Sequence, residues 1–117
     1  MRIRSYVMQG KGVGKTFGFP TANLDCRLGN IFEGVYACRV FLHNHPFNGV
    51  AIFRYRERPE AHLLDWQGEL KGEEIEVEIL DKISETRKFS DQAELVSKIK
   101  DDVRKAREWF ATIKSPS

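Results

Sequence analysis

The spacing of the apolar residues changes at Ser90, and this change constrains the fold more than any other feature of the sequence. Beyond it, apolar residues recur at intervals of three and four, the period of an amphipathic α-helix. They are Leu95, Ile99, Val103, Ala106, Phe110 and Ile113. Ser90 is a natural N-cap, and Asp91 suits the positive end of a helix. The pattern predicts one helix over residues 90–113, packed on a sheet through a stripe that includes Val96 and Trp109, with its lysines and aspartates on a solvated face.

Before Ser90, short segments rich in β-forming residues alternate with turn signals. These segments are residues 2–8, 34–42, 48–55, 60–66 and 74–79. The second and third are expected to form a hairpin around the turn at residues 43–46, and the last alternates cleanly between apolar and acidic residues. Short strands followed by one helix predict a small barrel, or a curled antiparallel sheet, closed by the C-terminal helix.

Length and composition narrow the class of protein. The chain has 117 residues, enough for one domain with a single core, and its 41% apolar and 31% charged residues are ordinary for a soluble globular protein. A net charge of +2 disfavours a general nucleic-acid-binding protein. No apolar run reaches the length of a membrane span, and the N-terminus lacks the apolar region of a signal peptide. Cys26 and Cys38 have no metal-type spacing, so we expect a cytoplasmic protein with reduced thiols.

Residues 10–24 hold a glycine- and lysine-rich run that leads into Gly-Phe-Pro-Thr-Ala-Asn-Leu. Glycines let backbone N–H groups approach an anion, and lysines add point charges that a phosphate can use. The nucleotide-contacting candidates are Gly10, Gly12, Gly14 and Lys15. Thr21 and Asn23 then offer two oxygen ligands of the kind that Mg²⁺ accepts. The segment indicates nucleotide chemistry, with a flexible hairpin loop as the alternative interpretation.

This segment is not one of the common nucleotide-binding loops. A P-loop would need a glycine at the position of Gln9 and a helix after Thr16, whereas Pro20 closes the stretch and the residues after it are extended. The dinucleotide-binding pattern G-x-G-x-x-G fails because its third glycine would fall on Lys15.

Five strings of residues occur in the order seen in riboflavin kinases, and the chain resembles this family over roughly residues 5–107. They are Gly14-Lys15-x-x-Gly18-Phe19-Pro20-Thr21-Ala22-Asn23-Leu24, Gly34-Val35-Tyr36-Ala37, Glu60-x-His62-Leu63-Leu64-Asp65-Trp66, Gly72-x-x-Ile75-x-Val77 and Lys88-Phe89-Ser90. The resemblance implies a mainly β fold in a single domain over residues 1–117. This would be a six-stranded antiparallel Greek-key barrel over about residues 1–89, followed by one long C-terminal helix over about residues 90–113.

The resemblance also implies a reaction, the transfer of the γ-phosphoryl group of ATP to the ribityl 5′-hydroxyl of riboflavin to give FMN and ADP. Glu60 matches the catalytic base, and Thr21 and Asn23 match the residues that hold Mg²⁺ and touch phosphate oxygens. Besides the glycines and Lys15, the nucleotide side would include Thr21, Leu63 and Asp65. The flavin side would include Ser84, Arg87 and Phe89. For His62 we expect a structural role rather than a catalytic one.

The chain departs from the family at two places. Residues 51–59 are shorter and more basic than the family's Asn-Ile-Gly-x-x-Pro-Thr segment, and Ser84 and Thr86 stand where the family has an arginine and a glutamate. These departures support an alternative function, a non-catalytic flavin- or nucleotide-binding descendant, while Thr21, Asn23 and Glu60 favour the kinase. An oligonucleotide-binding barrel is disfavoured. We expect a monomer that binds riboflavin/FMN and ATP/ADP, engages neither nucleic acid nor membrane, and lacks FAD synthesis.

Overall fold

The computed structural model describes residues 2–8, 21–24, 33–54, 58–66, 68 and 70–113. Within them, six strands precede a helix. The strands are β1 (Arg2–Met8), β2 (Thr21–Leu24), β3 (Gly34–Leu42), β4 (His45–Phe53), β5 (Glu60–Leu63) and β6 (Glu74–Ser84), and the helix is α1 (Gln92–Ile113). The predicted order of short strands followed by a C-terminal helix is confirmed.

The six strands form a closed barrel in the spatial order β1-β2-β5-β4-β3-β6, and every neighbouring pair is antiparallel. Strands β3, β4 and β5 follow one another directly, and β6 returns to lie beside β3, which is the Greek-key arrangement. Pairing of β6 with β1 closes the sheet, so no edge is left between these strands. The prediction of a six-stranded antiparallel Greek-key barrel with a C-terminal helix is therefore confirmed.

The hairpin between β3 and β4 is tighter than predicted. Its turn consists of His43 and Asn44 alone, with φ values of 50° and 67°. Two central residues with positive φ form a type I′ turn, whose twist matches that of the flanking strands. Strand β4 therefore begins at His45 rather than near residue 48, and Pro46 lies within it opposite Phe41.

Two apolar clusters lie on opposite sides of the barrel wall. On β4, Ala51 and Phe53 belong to the cluster that fills the barrel, whereas Val50 and Ile52 belong to the cluster between the wall and α1. This alternation is the two-residue period of a strand that is buried on both faces. The helix completes the second cluster with four buried residues of its predicted stripe, Ile99, Val103, Ala106 and Phe110. Ile113, which was also predicted in the stripe, is exposed at the end of the helix.

The helix differs from the prediction at its N-terminus and on its polar side. Asp91, not Ser90, is the cap, because its Oδ1 accepts a hydrogen bond from the backbone N–H of Glu94 at 2.9 Å. The expectation of a solvated polar face is wrong for Lys98 and Asp102, which are both buried. No helix among the described residues combines the length and apolar character needed to cross a membrane.

Candidate active site

Strand register brings the predicted base and the predicted metal ligands onto neighbouring strands. Strand β2 pairs with β5 so that Asn23 lies opposite Glu60 and Thr21 lies opposite His62. The backbone N–H of Leu24 also donates to the carbonyl of Pro59 at 3.0 Å. For Thr21 and Asn23 the structure describes the backbone only, while Gly10, Gly12, Gly14 and Lys15 lie outside the described residues.

Glu60 begins β5 on the outer side of the barrel wall. Its cross-strand neighbour on β4 is Ile52, which belongs to the apolar cluster beneath the helix, whereas the next residue, Ala61, faces the barrel interior. The side chain of Glu60 is 26% exposed. The carboxylate thus lies where the covered wall meets solvent, and a ligand can reach it.

The carboxylate of Glu60 has a cationic partner that sequence reasoning did not select. Arg54 follows the end of β4, and its Nη1 donates to Oε2 of Glu60 at 3.0 Å. The two side chains have similar exposure, 29% and 26%. Charge-assisted hydrogen bonds of this kind are stronger and more directional than neutral ones. Arg54 lies in the basic segment, residues 51–59, where the sequence departs from the family pattern. Comparison with the family's motifs therefore did not indicate it.

His62 lies next to this pair and is almost fully buried. Burial lowers the pKa of His62, and the positive charge of Arg54 acts in the same direction, while the negative charges of Glu60 and Asp102 partly oppose the shift. A histidine with a lowered pKa is neutral at pH 7. The burial suits the structural role expected for His62, and it places an uncharged imidazole between β5 and the helix.

The two remaining residues predicted on the nucleotide side lie at the end of β5 and in the turn that follows it. The Leu63 side chain is buried in the barrel interior, so contact with a nucleotide there would fall to its backbone. Asp65 lies on the surface in the turn after β5, where its carboxylate accepts two hydrogen bonds from Arg107 of the helix, at 3.0 and 3.1 Å. The hydrogen bonds and positive charge of Arg107 lower the pKa of Asp65. The β5 turn is thereby attached to the helix.

The predicted flavin-side residues lie at and beyond the end of β6. Arg87 is exposed, and Phe89 is half-buried. Ser84 is the last residue of the strand, and its hydroxyl accepts a hydrogen bond from Nζ of Lys98 at 2.8 Å. Lys98 also donates to both carboxylate oxygens of Asp102, at 2.6 and 2.7 Å. The end of β6 is therefore bound to the helix by a hydrogen bond from Lys98, which also belongs to a buried ion pair within the helix.

Sequence reasoning missed the Lys98–Asp102 pair because the helix is rich in charged residues. A signal was nevertheless present, since the two residues have opposite charges four positions apart, and each directly precedes a residue of the apolar stripe. The stripe residues are Ile99 and Val103. Charges placed at the margin of a buried stripe are candidates for a buried pair.

Comparison with known proteins shows the family of this chain. The family model described as Flavokinase, riboflavin kinase, matches residues 1–110. A bifunctional riboflavin kinase/FMN adenylyltransferase from Haemophilus influenzae is 38% identical over 118 residues, which cover 93% of this chain and 38% of that protein. Across the first curated relatives that it matches, the chain spans from 19% to 52% of their length.

Solved structures agree in fold. The crystal structure of riboflavin kinase from Trypanosoma brucei has a TM-score of 0.67 at 20% identity, covering 99% of this chain and 87% of that one. A structure titled macrolide-efflux protein from Streptococcus pneumoniae has a TM-score of 0.77 at 29% identity, covering 92% of this chain and 38% of that one. With the match of the family model over almost the whole sequence, the chain belongs to the riboflavin kinase family.

Proposed function

We propose that this chain transfers the γ-phosphoryl group of ATP to the 5′-hydroxyl of riboflavin, giving FMN and ADP. The observation that carries the proposal is the register of β2 and β5, which sets Asn23 opposite Glu60. Phosphoryl transfer depends mainly on positioning and charge neutralisation, and it needs a group that orients or deprotonates the attacking hydroxyl beside the phosphate-binding elements. Strand pairing brings candidates for both tasks together.

Glu60 is the proposed base. A carboxylate oxygen accepts a hydrogen bond from the ribityl hydroxyl and takes its proton as the new O–P bond forms. The bond between the γ-phosphorus and its bridging oxygen breaks, and ADP leaves with that oxygen. The exposure of the Glu60 side chain at the edge of the covered wall suits this task, because the acceptor must enter and FMN must leave.

Thr21 and Asn23 are the residues proposed to hold Mg²⁺ together with the nucleotide. A hydroxyl and an amide oxygen suit a hard cation, but both are neutral, so the phosphates must provide most of the negative charge around it. When bound, the metal would neutralise charge on the phosphate oxygens. This donor set fits a site that forms with the nucleotide rather than before it.

Glu60→Gln tests the assignment. The variant keeps the shape of the side chain and removes the base, so we expect kcat for FMN formation to fall by about 10²- to 10⁴-fold. The assay is chromatographic measurement of FMN and ADP after mixing the protein with riboflavin, ATP and Mg²⁺. The matched control is Glu78→Gln, because Glu78 is 27% exposed and faces Arg39 on another part of the barrel.

The outcomes separate the two functions. A Glu60→Gln variant with kcat within threefold of the wild type would reject Glu60 as the base. Binding of riboflavin or ATP by the wild type without any FMN formation would reject the kinase assignment and favour a non-catalytic binding protein. Isothermal titration with each ligand distinguishes this outcome from a protein that binds neither.

A further inference from the structure

Arg54 is placed to act on the proposed base rather than on the fold alone. It follows β4 two residues after Ile52, which pairs with Glu60, so Arg54 and Glu60 are diagonal neighbours across two strands. Among the described residues Glu60 is its only hydrogen-bonding or ion-pairing partner, and the contact uses one of the five N–H donors of a guanidinium.

We infer that Arg54 is a positioning residue for Glu60, and this inference rests on the proposed kinase function. Its hydrogen bond holds Oε2 and, within the described part of the chain, leaves Oε1 of the same carboxylate for the hydroxyl of riboflavin. A glutamate side chain has several rotatable bonds, and a half-buried carboxylate without a partner would sample orientations that do not face the acceptor. The planar, permanently charged guanidinium restricts this freedom better than a flexible ammonium group.

The charge of Arg54 has a second consequence for the site. ATP brings several negative charges toward a carboxylate that must stay ionised to accept a proton. A cation in direct contact with that carboxylate offsets the repulsion between the two anionic groups. We therefore expect loss of Arg54 to act mainly on the rate of transfer with Glu60 present. It should raise KM for ATP by no more than about threefold, because both side chains are more than a quarter exposed and solvent screens the repulsion.

The first experiment compares Arg54→Met and Arg54→Lys with the wild type. We expect Arg54→Met to lower kcat by about 10- to 100-fold, the range for loss of a charge-assisted hydrogen bond, with KM for riboflavin and for ATP within about threefold. Arg54→Lys should recover part of kcat, because it restores the charge but not the planar fork. The control is Arg39→Met, which removes a half-buried arginine on β3 that faces Glu78 on β6.

A double-mutant cycle then tests whether Arg54 acts through Glu60. In a Glu60→Ala background, Arg54→Met should cause no further loss of the residual rate, since the group that it positions is already gone. An equal loss in both backgrounds would overturn the inference, as would an effect of Arg54→Met confined to KM or a kcat within threefold of the wild type. If Arg54→Met does not fold by circular dichroism, Arg54→Lys and Arg54→Gln provide the same cycle.

Failure of this inference can be told from failure of the proposed function. A wild-type protein that forms FMN, together with unchanged Arg54 variants, overturns only the role of Arg54. A wild-type protein that forms no FMN overturns both.

Discussion

Lys98→Met is expected to destabilise the fold more than any exposed charge substitution on the same helix. The ammonium of Lys98 lies between the helix and the barrel, with three acceptor oxygens at 2.6, 2.7 and 2.8 Å. Two belong to Asp102, and the third is the hydroxyl of Ser84. Each charged side chain of the pair is less than a tenth exposed, 8% for Lys98 and 7% for Asp102.

The magnitude follows from this burial. Removing one partner of a buried ion pair leaves the other charge without compensation and typically costs about 3–5 kcal/mol. A domain of this size has a free energy of unfolding of about 5–15 kcal/mol, so the loss is a large fraction of its stability. The melting temperature should fall by about 10–20 °C. The double variant Lys98→Met/Asp102→Leu removes both charges and should regain most of the loss, because apolar replacement of a buried pair is often neutral or stabilising.

Urea denaturation, followed by tryptophan fluorescence and by circular dichroism, measures these differences. The matched control is Lys105→Met, because Lys105 pairs with Asp101 at the same four-residue spacing on the same helix, but both side chains are more than a third exposed. We expect the control to cost less than about 0.5 kcal/mol. A cost below about 1 kcal/mol for Lys98→Met, or a double variant no more stable than the single one, would refute the reasoning.

Two further predictions concern the strand that carries the proposed base. A Cβ on Gly49 would lie 2.8 Å from the backbone carbonyl oxygen of His62, so Gly49→Ala should force β4 and β5 apart, cost about 1–3 kcal/mol, and lower FMN formation by moving Glu60. Denaturation and kcat measure the two effects, and unchanged values of both would contradict the prediction. Asp65→Asn should cost at most about 1 kcal/mol at pH 7, because the Asp65 side chain is 76% exposed, and asparagine tolerates its φ of 56°. Because Arg107 lowers the pKa of Asp65 below its ordinary value of 3.8 in the folded state, the stabilisation is present above that value and is lost as the pH falls through the folded-state pKa. Denaturation at several pH values checks this, and a wild-type advantage that persists unchanged at the lowest pH where the fold survives would count against it.

Most secondary structure could be predicted from the sequence because strand and helix periods are local properties. The predicted bounds of β1 and β3 match the structure, and residues 21–24 are extended as expected. Cys38, expected to be a reduced thiol, is a free cysteine buried in the barrel interior, and burial raises the pKa of its thiol. The start of β4 was wrong by three residues because a two-residue type I′ turn can use His and Asn as well as the Asn-Gly pair that marks it most clearly.

Pairing between distant strands could not be predicted from local pattern. Strands β2 and β5 have four residues each, too few for their own sequences to specify a partner or a register. The family resemblance could name Glu60 and Asn23, but only the closed barrel sets one opposite the other. Arg54 was missed for the same reason, because its partner is determined by the register of β4 against β5. Side-chain contacts across strands depend on strand order and register, and neither can be deduced from the spacing of apolar and polar residues along a single strand.

Ser84 must be interpreted together with Lys98. The resemblance places an arginine at the position of Ser84, on the flavin side, and its absence is one of the departures that supported a non-catalytic descendant. In this chain a buried ammonium lies next to that position, but its three protons are already directed to Asp102 and to the Ser84 hydroxyl. This charge is satisfied inside the protein, so it holds the end of β6 against the helix and is not offered to a ligand. Recognition of flavin from this edge should therefore depend on the exposed Arg87 and the half-buried Phe89, which lie beyond the anchored end of the strand.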